Sequence, residues 1–468
     1  MNFLFLKIKN RLKFIFFFMF NYLSTDISMK KLQKVLDITE VEKKLLFLDR
    51  LYFNNKSNPL VVFWFCFYNQ SYKNYIKAFK LIKSYDSLLK KWLIKKNLSF
   101  TNSLTFLNSA HITGAFGNHW TMFYYLMNKI LILKDNNKPT ILLMDKDKLT
   151  NTTLYNFFSP YINVVRSTNI KYKFKSIEDI NKPPIEFTVP FKKKYYPFFS
   201  GINFIKQNTK KNKQFNYLSL SSHQIDFGFK ILKKLGHPIN KRFVTIHIRE
   251  KKDSCDIFNS NPITYIKSIK DLVSSGIGVI RVGDSSITRL PRIDGLIDYP
   301  FTKYKSEFMD IFLASKNFFC IGTSSGYWTV SHMFNKPILL VNYLPVLDYY
   351  CLEYDSMFLP KKLYNKKKNN LLKFSEQFSI KNGYCLSKLH FFDRGILIKD
   401  NSEDEISNAV KYMSFQLNIQ KNDKKKDFLK HNKKYKEYLN KLNEKMFDYP
   451  LIAKANFSLD YLRQFELK

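Results

Sequence analysis

Hydrophobic residues recur at helical spacing in the first part of the chain. In residues 41–51 and 72–93, apolar side chains return every three or four positions, and lysines stand between them. This spacing places the apolar side chains along one face of a helix. We therefore predict that residues 1–95 form a helical extension.

Short apolar runs separated by helical segments follow this extension. A strand is predicted over residues 103–107, a helix over residues 120–133 and a second strand over residues 140–144. A glycine-containing loop lies between the first strand and the helix. A strand, a loop, a helix and a strand in this order are typical of a βαβ unit.

The pattern is weaker in residues 151–220. A pair of prolines in residues 182–184 and a basic aromatic stretch over residues 191–199 are both predicted to be loops. Because residues 96–225 also contain the βαβ unit, they are predicted as a whole to form a first Rossmann-like domain.

The clearest alternation of strands and helices lies in residues 242–345. Strands are predicted over residues 242–248, 278–282, 296–297, 317–321 and 337–341. Helices are predicted between them, over residues 262–274, 306–315 and 325–334. Strands that alternate with helices at this spacing form a parallel sheet with helices on both faces. Residues 226–400 are therefore predicted to form a second Rossmann-like domain.

Residues 401–468 are predicted to be helical. The sequence Ser402-Glu-Asp-Glu405 is a capping box, which opens a helix over residues 405–417. The stretch 420–446 is rich in Lys and Asn and is predicted to be a solvated helix. Two Rossmann-like domains behind a helical extension form an α/β protein of GT-B-type architecture.

Charge narrows the choice of partner. Lysine and arginine number 77 against 38 aspartates and glutamates, so the 468-residue chain has a formal net charge of +39. One interpretation is a polyanionic partner. The other is a compositional bias, since Lys, Asn, Ile, Phe and Tyr are over-used together. Zinc-knuckle spacings and basic-zipper heptads are absent from the sequence. The positive charge therefore favours a diphosphate substrate or an anionic membrane over nucleic acid as the partner.

Cysteine usage and the N-terminal sequence predict a cytoplasmic protein. The five cysteines are widely separated and form no C-x-x-C motif, which suits a reducing compartment without structural zinc. The uncharged apolar stretch 14–20 is much shorter than the ~20 residues that span a bilayer. A basic helix at the inner face of the plasma membrane and a helix packed on the protein both fit residues 2–23.

Polar residues follow three of the predicted strands. In an open parallel sheet, ligands bind beyond the carboxyl ends of the strands. The candidates for contact with a substrate are His247 and Arg249, then Asp284 and Ser285, and finally Gly322, Thr323, Ser324, Ser325 and Gly326.

Arg249 is the candidate for binding a diphosphate. Its guanidinium can form bidentate hydrogen bonds to phosphate oxygens and neutralise the charge of a leaving group. The alternative is a surface arginine paired with Glu250 or Asp253. His247 lies two residues earlier, on the same side of the strand, and is either a ligand of the donor or a core histidine.

The other two loops also leave two interpretations open. The hydroxyl and N–H groups of residues 323–326 would form an anion site, whereas Ser324 or Ser325 would otherwise cap the following helix. Asp284 either binds ribose or sugar hydroxyls or caps its own loop.

The first domain contains a second group of candidates. Gly114 and Gly117 allow a substrate to approach the backbone closely. His119 follows them and is a candidate general base for an acceptor hydroxyl, because an imidazole titrates near neutral pH.

Four sequence blocks resemble a largely uncharacterised family of bacterial glycosyltransferases. They lie at residues 243–249, 278–284, 305–313 and 318–326, and shorter matches lie at residues 297–299, 358–362 and 405–406. More distantly, the blocks are similar to the fucosyltransferase-like GT-B enzymes, in which a strand ends in His-x-Arg and a serine-rich turn precedes a helix. The resemblance covers residues 100–415.

The resemblance implies that Arg249 contacts the donor pyrophosphate and that Asp284, Ser324 and Ser325 contact the nucleotide sugar. It implies a glycosyltransferase that needs neither a metal nor a cofactor beyond its nucleotide-sugar donor, with a GDP-linked sugar among the candidates. The acceptor would be a hydroxyl of a surface glycan or a lipid-linked precursor. The alternative is a non-catalytic glycan-binding or scaffold protein with a degenerate transferase fold.

The loop over residues 114–119 also resembles the glycine loop of other GT-B enzymes, in which a histidine can act as base, but Asn118 departs from the usual pattern and leaves the role of His119 open. For the domains, the resemblance implies that residues 96–225 bind the acceptor and residues 226–400 bind the nucleotide sugar.

Overall fold

The structure is a computed structural model that divides into two compact units. The first comprises residues 1–114, 124–150 and 158–201, and the second comprises residues 115–123, 151–157 and 202–468. Apart from a few single positions, the described residues are 41–54, 105–108, 140–144, 150–158, 163–166, 188–191, 194–197, 218–251, 256–347, 355–383, 388–418, 423–446 and 454–465.

In the first unit, the described segments longer than a single residue form one helix and two small sheets. The helix is α1 (Val41–Asn54), within the predicted helical extension. The three-stranded parallel sheet has the order β1-β2-β3, with β1 at Thr105–Asn108, β2 at Thr140–Met144 and β3 at Asn163–Arg166. The predicted strands at residues 103–107 and 140–144 are therefore confirmed. The prolines of 182–184 lie outside the described residues.

The prediction of a loop over residues 191–199 is wrong. Strands β4 (Thr188–Phe191) and β5 (Lys194–Pro197) pair there as an antiparallel hairpin. Val189 stands opposite Tyr196, and β-branched and aromatic side chains facing each other across two strands stabilise such a pair. The basic and proline residues concealed this pairing, which depends on the cross-strand partner and not on the local composition.

The second unit is built on a seven-stranded parallel sheet with the order β15-β11-β10-β9-β6-β7-β8. A parallel sheet is predicted for its central strands, without their order. The strands are β6 (Phe243–His247), β7 (Gly278–Arg281), β8 (Leu296–Asp298), β9 (Cys320–Gly322), β10 (Ile338–Tyr343), β11 (Met357–Pro360) and β15 (Asn456–Phe457). A smaller antiparallel sheet contains β12 (Lys362–Asn365), β13 (Asn370–Leu371) and β14 (Ile396–Lys399).

Helices follow the strands of the main sheet. The described α-helices of this unit are α2 (Thr152–Asn156), α3 (Ser222–Lys234), α4 (Ile266–Ser274), α5 (Glu307–Lys316), α6 (Tyr327–Met333), α7 (Phe374–Gln377), α8 (Ile380–Gly383), α9 (Lys388–Asp393), α10 (Glu403–Asn418), α11 (Asp423–Met446) and α12 (Leu459–Arg463). Short 3₁₀ helices occupy Asp256–Phe258, Pro262–Tyr265 and Tyr299–Phe301. Among the described residues, no helix is both long enough and apolar enough to span a membrane.

Local signals start the helices where the sequence predicts. Ser306 caps α5 by accepting a hydrogen bond from the Met309 amide at 3.2 Å. At the start of α10, Ser402 accepts from the Glu405 amide at 3.2 Å while the Glu405 carboxylate accepts from the Ser402 amide at 2.7 Å. The predicted capping box is thus confirmed.

The two crossovers next to the sheet centre run in opposite directions. The chain passes from β6 through α4 to β7 on one side, and from β9 through α6 to β10 on the other. Because crossovers between parallel strands are right-handed, α4 and α6 are placed on opposite faces of the sheet. The α/β class with helices on both faces is therefore confirmed.

A buried amide joins the sheet to the α5–α6 layer. Asn317, which is 1% exposed, ends α5. Its amide nitrogen lies 2.8 Å from the Thr245 hydroxyl of β6 and 3.0 Å from the Ser331 hydroxyl of α6. Polar groups in a protein interior stabilise the fold only when they are hydrogen-bonded, so these three residues depend on one another.

We expect Asn317→Ala to lower the free energy of unfolding by about 2–4 kcal/mol, because it leaves the buried hydroxyls of Thr245 and Ser331 without this donor. Chemical denaturation would measure the change. Asn370→Ala, at an exposed position, is the control and should change the free energy by about 0.5 kcal/mol or less. Equal effects of the two substitutions would contradict the role given to Asn317.

Candidate functional site

The candidate site lies where the strand order of the main sheet reverses. From β6 the chain continues outward to β7 and β8, and then returns to the other side of β6 to form β9, β10 and β11. At such a switch point, the loops beyond the carboxyl ends of the two central strands lead away in opposite directions and leave a crevice. His247 pairs in register with Gly322 at this edge.

Two loops that are far apart in sequence meet at this crevice. The backbone amide of Arg249 donates a hydrogen bond to the Thr323 hydroxyl at 3.0 Å. That hydroxyl also lies 3.4 Å from the carbonyl oxygen of His247. The side chains of Ser325 and His247 are hydrogen-bonded, with 2.8 Å between Oγ and Nδ1. The structure therefore brings together the residues predicted after β6 and those predicted after β9.

The two serines of this turn do not cap the helix that follows. Gly326 is the N-cap of α6 and has no side-chain capping bond. The Ser324 hydroxyl accepts from the Leu344 amide at 2.8 Å, and Ser325 binds His247 instead. Since the Ser325 amide bonds to the Thr323 carbonyl at 2.6 Å, the turn is tight and directs both hydroxyls towards neighbouring strands.

Gly322 is required by packing against α6. A Cβ atom at this position would lie 2.8 Å from the Cβ of Trp328. Trp328 is almost completely buried and cannot move away without disturbing the core. The glycine thus permits close contact between β9 and α6, a reason that sequence analysis did not identify.

The imidazole of His247 is held in its neutral form. Burial lowers its pKa to about 4, with nearby Arg281 and Arg249 acting in the same direction and Asp284 acting against them. Its ring is stacked on that of Tyr327, with 5.8 Å between centroids and 7° between planes. A neutral imidazole has one donor and one acceptor nitrogen, so the ring can bind Ser325 and still offer one polar group.

Asp284 organises its own loop. One carboxylate oxygen accepts from the backbone amide of Ser286 at 2.9 Å and also from the Ser286 hydroxyl. Burial raises the pKa of Asp284, but the bonds from Ser286 and the positive charges nearby outweigh it and leave the pKa below its ordinary value. Asp284 and Ser285 are exposed to solvent, so an anionic carboxylate faces outward at this edge.

A buried arginine that sequence analysis did not single out connects two of the loops. The side chain of Arg281, at the end of β7, is 0% exposed and forms ion pairs with Glu250 at 2.5 Å and with Asp298 at 3.5 Å. Glu250 also accepts from the amide of Thr288 at 3.1 Å. The loop after β7 is therefore tied to the residue that follows Arg249. An arginine inside the apolar run 278–282 was the available signal.

The remaining predicted residues are not tested by the described structure. Gly114, Gly117 and His119 lie outside the described residues, so their roles stay predictions. Asp253, an alternative partner for Arg249, also lies outside them. Within the described part of the chain, no group of three or more His, Cys, Asp or Glu residues is placed to hold a metal ion.

The depressed pKa of His247 predicts a pH dependence of stability. The folded pKa of about 4 lies below the ordinary value of 6.5, so protons bind the unfolded chain first as the pH falls. The stability due to this group is complete above pH ~6.5 and decreases towards pH ~4. The unfolding free energy of the wild type should therefore decrease between pH ~7 and pH ~4. In His247→Asn we expect this decrease to be smaller by about 2–3 kcal/mol, as measured by denaturation at both pH values.

His223→Asn is the control for this prediction, because His223 lies exposed at the start of α3. The neutral-histidine interpretation would be contradicted by a His247→Asn variant with the same acid sensitivity as the wild type.

Comparisons with known proteins give distant similarities to solved glycosyltransferase structures. No protein-family model and no curated protein matches the chain. The dodecameric iron-containing glycosyltransferase TibC from enterotoxigenic E. coli aligns at 15% identity with a TM-score of 0.30, over 51% of this chain and 56% of TibC. The chain thus spans little more than half of TibC.

Two further structures align over most of their own length. E. coli heptosyltransferase WaaC with ADP aligns at 7% identity and a TM-score of 0.30, over 67% of this chain and 99% of WaaC. A family 9 glycosyl transferase from Veillonella parvula aligns at 8% identity and a TM-score of 0.30, over 71% of this chain and 93% of that one. At identities of 15% or less, these similarities do not by themselves assign a function to the chain.

Proposed function

We propose that the protein is a glycosyltransferase of the GT-B type that takes a sugar from a nucleoside-diphosphate donor. The observation that carries the proposal is the meeting of His247, Arg249, Thr323 and Ser325 at the switch point of the second unit's sheet. In parallel α/β sheets this is the place where nucleotides bind.

The proposed reaction requires stabilisation of a departing diphosphate. The oxygen of an acceptor hydroxyl attacks the anomeric carbon, the bond between that carbon and the phosphate oxygen breaks, and the nucleoside diphosphate leaves with the electron pair. A permanently charged guanidinium placed at the diphosphate stabilises the charge that develops. Arg249 is assigned this role, because its backbone is anchored to Thr323 and its position is thereby defined.

The groups around Arg249 offer hydrogen bonds to the donor but add no further positive charge. The neutral His247 and the hydroxyl of Ser325 are hydrogen-bonding groups for phosphate or ribose oxygens, whereas the buried Thr323 hydroxyl holds the backbone of Arg249 in place. The anionic Asp284 is an acceptor for sugar or ribose hydroxyls. Rigid placement of such groups lowers the barrier, because little reorganisation is needed during the reaction.

The finer parts of the proposal come from the sequence. The donor is a nucleotide sugar, with a GDP-linked one among the candidates, and neither a metal nor another cofactor takes part. The acceptor is a hydroxyl of a surface glycan or a lipid-linked precursor at the inner face of the plasma membrane. The acceptor proton passes to His119 or to a carboxylate.

The first test is nucleotide binding. We expect one nucleoside diphosphate to raise the melting temperature and Arg249→Ala to weaken its affinity by about 10–100-fold, as measured by calorimetry, because a charge-assisted hydrogen-bonding group is lost. Arg242→Ala is the matched control, because Arg242 precedes the same strand at the opposite edge of the sheet.

Two results would contradict the donor site. Wild-type affinity in Arg249→Ala would place the diphosphate elsewhere. An equal loss in Arg242→Ala would show that general positive charge, and not the switch point, holds the nucleotide.

The second test is turnover without a metal. We expect EDTA to change kcat/KM by no more than about twofold, both for donor hydrolysis and for transfer to crude glycolipid acceptors. The reason is that the proposed charge stabilisation comes from Arg249. Radiolabelled donor would measure both reactions. Restoration of a lost activity by one divalent metal would contradict the metal-free mechanism. Nucleotide binding without any turnover would favour the non-catalytic alternative.

A further inference from the structure

The small antiparallel sheet of the second unit carries an exposed surface that combines aromatic, aliphatic and basic side chains. We infer that this surface docks on an anionic lipid bilayer. We call it the hairpin tip, and it comprises Lys366, Lys367, Lys368, Phe392 and Leu397.

One side of the sheet already has a hydrophobic partner within the protein. Ile396 and Ile398 of β14 pack against a buried cluster that includes Leu363 and Phe391. Because side chains alternate along a strand, Leu397 is directed to the other side, and it is 37% exposed. This face therefore presents apolar surface that the fold itself does not require.

Phe392 is the more exposed of the two hydrophobic residues of the hairpin tip. It is 68% exposed, although Phe391 beside it is buried. The backbone amide of Lys366 bonds to the Gly395 carbonyl at 2.7 Å and holds the two turns together. The Lys366 ammonium lies 5.5 Å from the Phe392 ring centroid, so an aromatic ring and a cation are presented side by side. A large exposed apolar side chain with a polar rim is typical of an interaction site.

The charge of the hairpin tip is strongly positive. Its three lysines are exposed and form no ion pair with any described residue. Lys399 lies next to them, with its ammonium 4.1 Å from the Tyr364 ring centroid. In residues 366–369 and 392–399, Asp393 is the one carboxylate. Clusters of this kind are attracted to the negative surface of bilayers that contain anionic lipids.

A comparison within the chain separates this surface from general positive charge. Helix α11 also exposes lysines, including Lys430, Lys433 and Lys434. Within residues 430–442 of α11, whose exposure the structure describes, no large hydrophobic side chain is exposed, whereas the hairpin tip adds Phe392 and Leu397 to its lysines. Apolar side chains that enter the headgroup region beside lysines that contact phosphates suit a bilayer. Phe392 is the one tip side chain with a ring that can stack on a nucleic-acid base, and Leu397 adds apolar surface that only a bilayer would bury.

The inference extends the proposed function, since a lipid-linked acceptor would lie at such a surface. The experiment uses neither donor nor acceptor, so the two proposals can fail separately. Sedimentation with vesicles of phosphatidylcholine and phosphatidylglycerol, and with vesicles of phosphatidylcholine alone, would measure the binding of the chain. We expect binding to the anionic vesicles only, with a decrease at high salt.

Two tip variants and two matched controls test the surface. Substitution of the three tip lysines by alanine should weaken binding to the anionic vesicles about 100-fold, and Phe392→Ser should weaken it about tenfold. The controls carry the same changes at exposed positions elsewhere, namely Lys430→Ala, Lys433→Ala and Lys434→Ala together, and Phe227→Ser. The control variants should bind within about threefold of the wild type.

Three outcomes would overturn the inference. The first is wild-type binding to anionic vesicles in both tip variants, and the second is an equal loss of vesicle binding in the α11 variant. The third is that the wild type binds single-stranded nucleic acid, and that the tip variants lose this binding but bind vesicles as the wild type does. Circular dichroism and the melting temperature of each variant without ligand would verify that it is folded.

Discussion

The parallel pairing of β6 with β9 is the constraint on which the rest of the second unit depends. Its register sets His247 beside Gly322, and so the segments after both strands share one edge of the sheet. The buried Asn317 supports the same pairing from within, because it binds Thr245 of β6 and Ser331 of α6. A slip of one residue would move every side chain of β6 to the opposite face of the sheet and separate Thr245 from Asn317.

The ion pairs of Arg281 extend this constraint to a third loop. Removing a guanidinium from water is unfavourable, and it is tolerated here because two carboxylates and a carbonyl oxygen surround it. Glu250 binds both Arg281 and the amide of Thr288, so the loops after β6 and β7 cannot shift independently. An arrangement of this kind holds polar groups in place before a ligand arrives, which is what stabilisation of a diphosphate requires.

Local patterns predicted much of this unit. Buried parallel strands are nearly continuous apolar runs, and residues such as Ser306 and Ser402 start helices through hydrogen bonds to their own first turn. The small sheet was not predicted, because β12 contains lysine, tyrosine and asparagine and is recognisable only beside β14. The hairpin of β4 and β5 was missed for the same reason.

By itself, the sequence determined the α/β class and the presence of polar residues just after the strands that became β6, β7 and β9. Only the tertiary structure decided that β6 and β9 are neighbours, that Ser325 binds His247 and does not cap α6, and that Arg281 is buried. Strand order depends on the direction in which each crossover returns to the sheet, which no local pattern specifies. The partners of polar side chains depend in turn on that order.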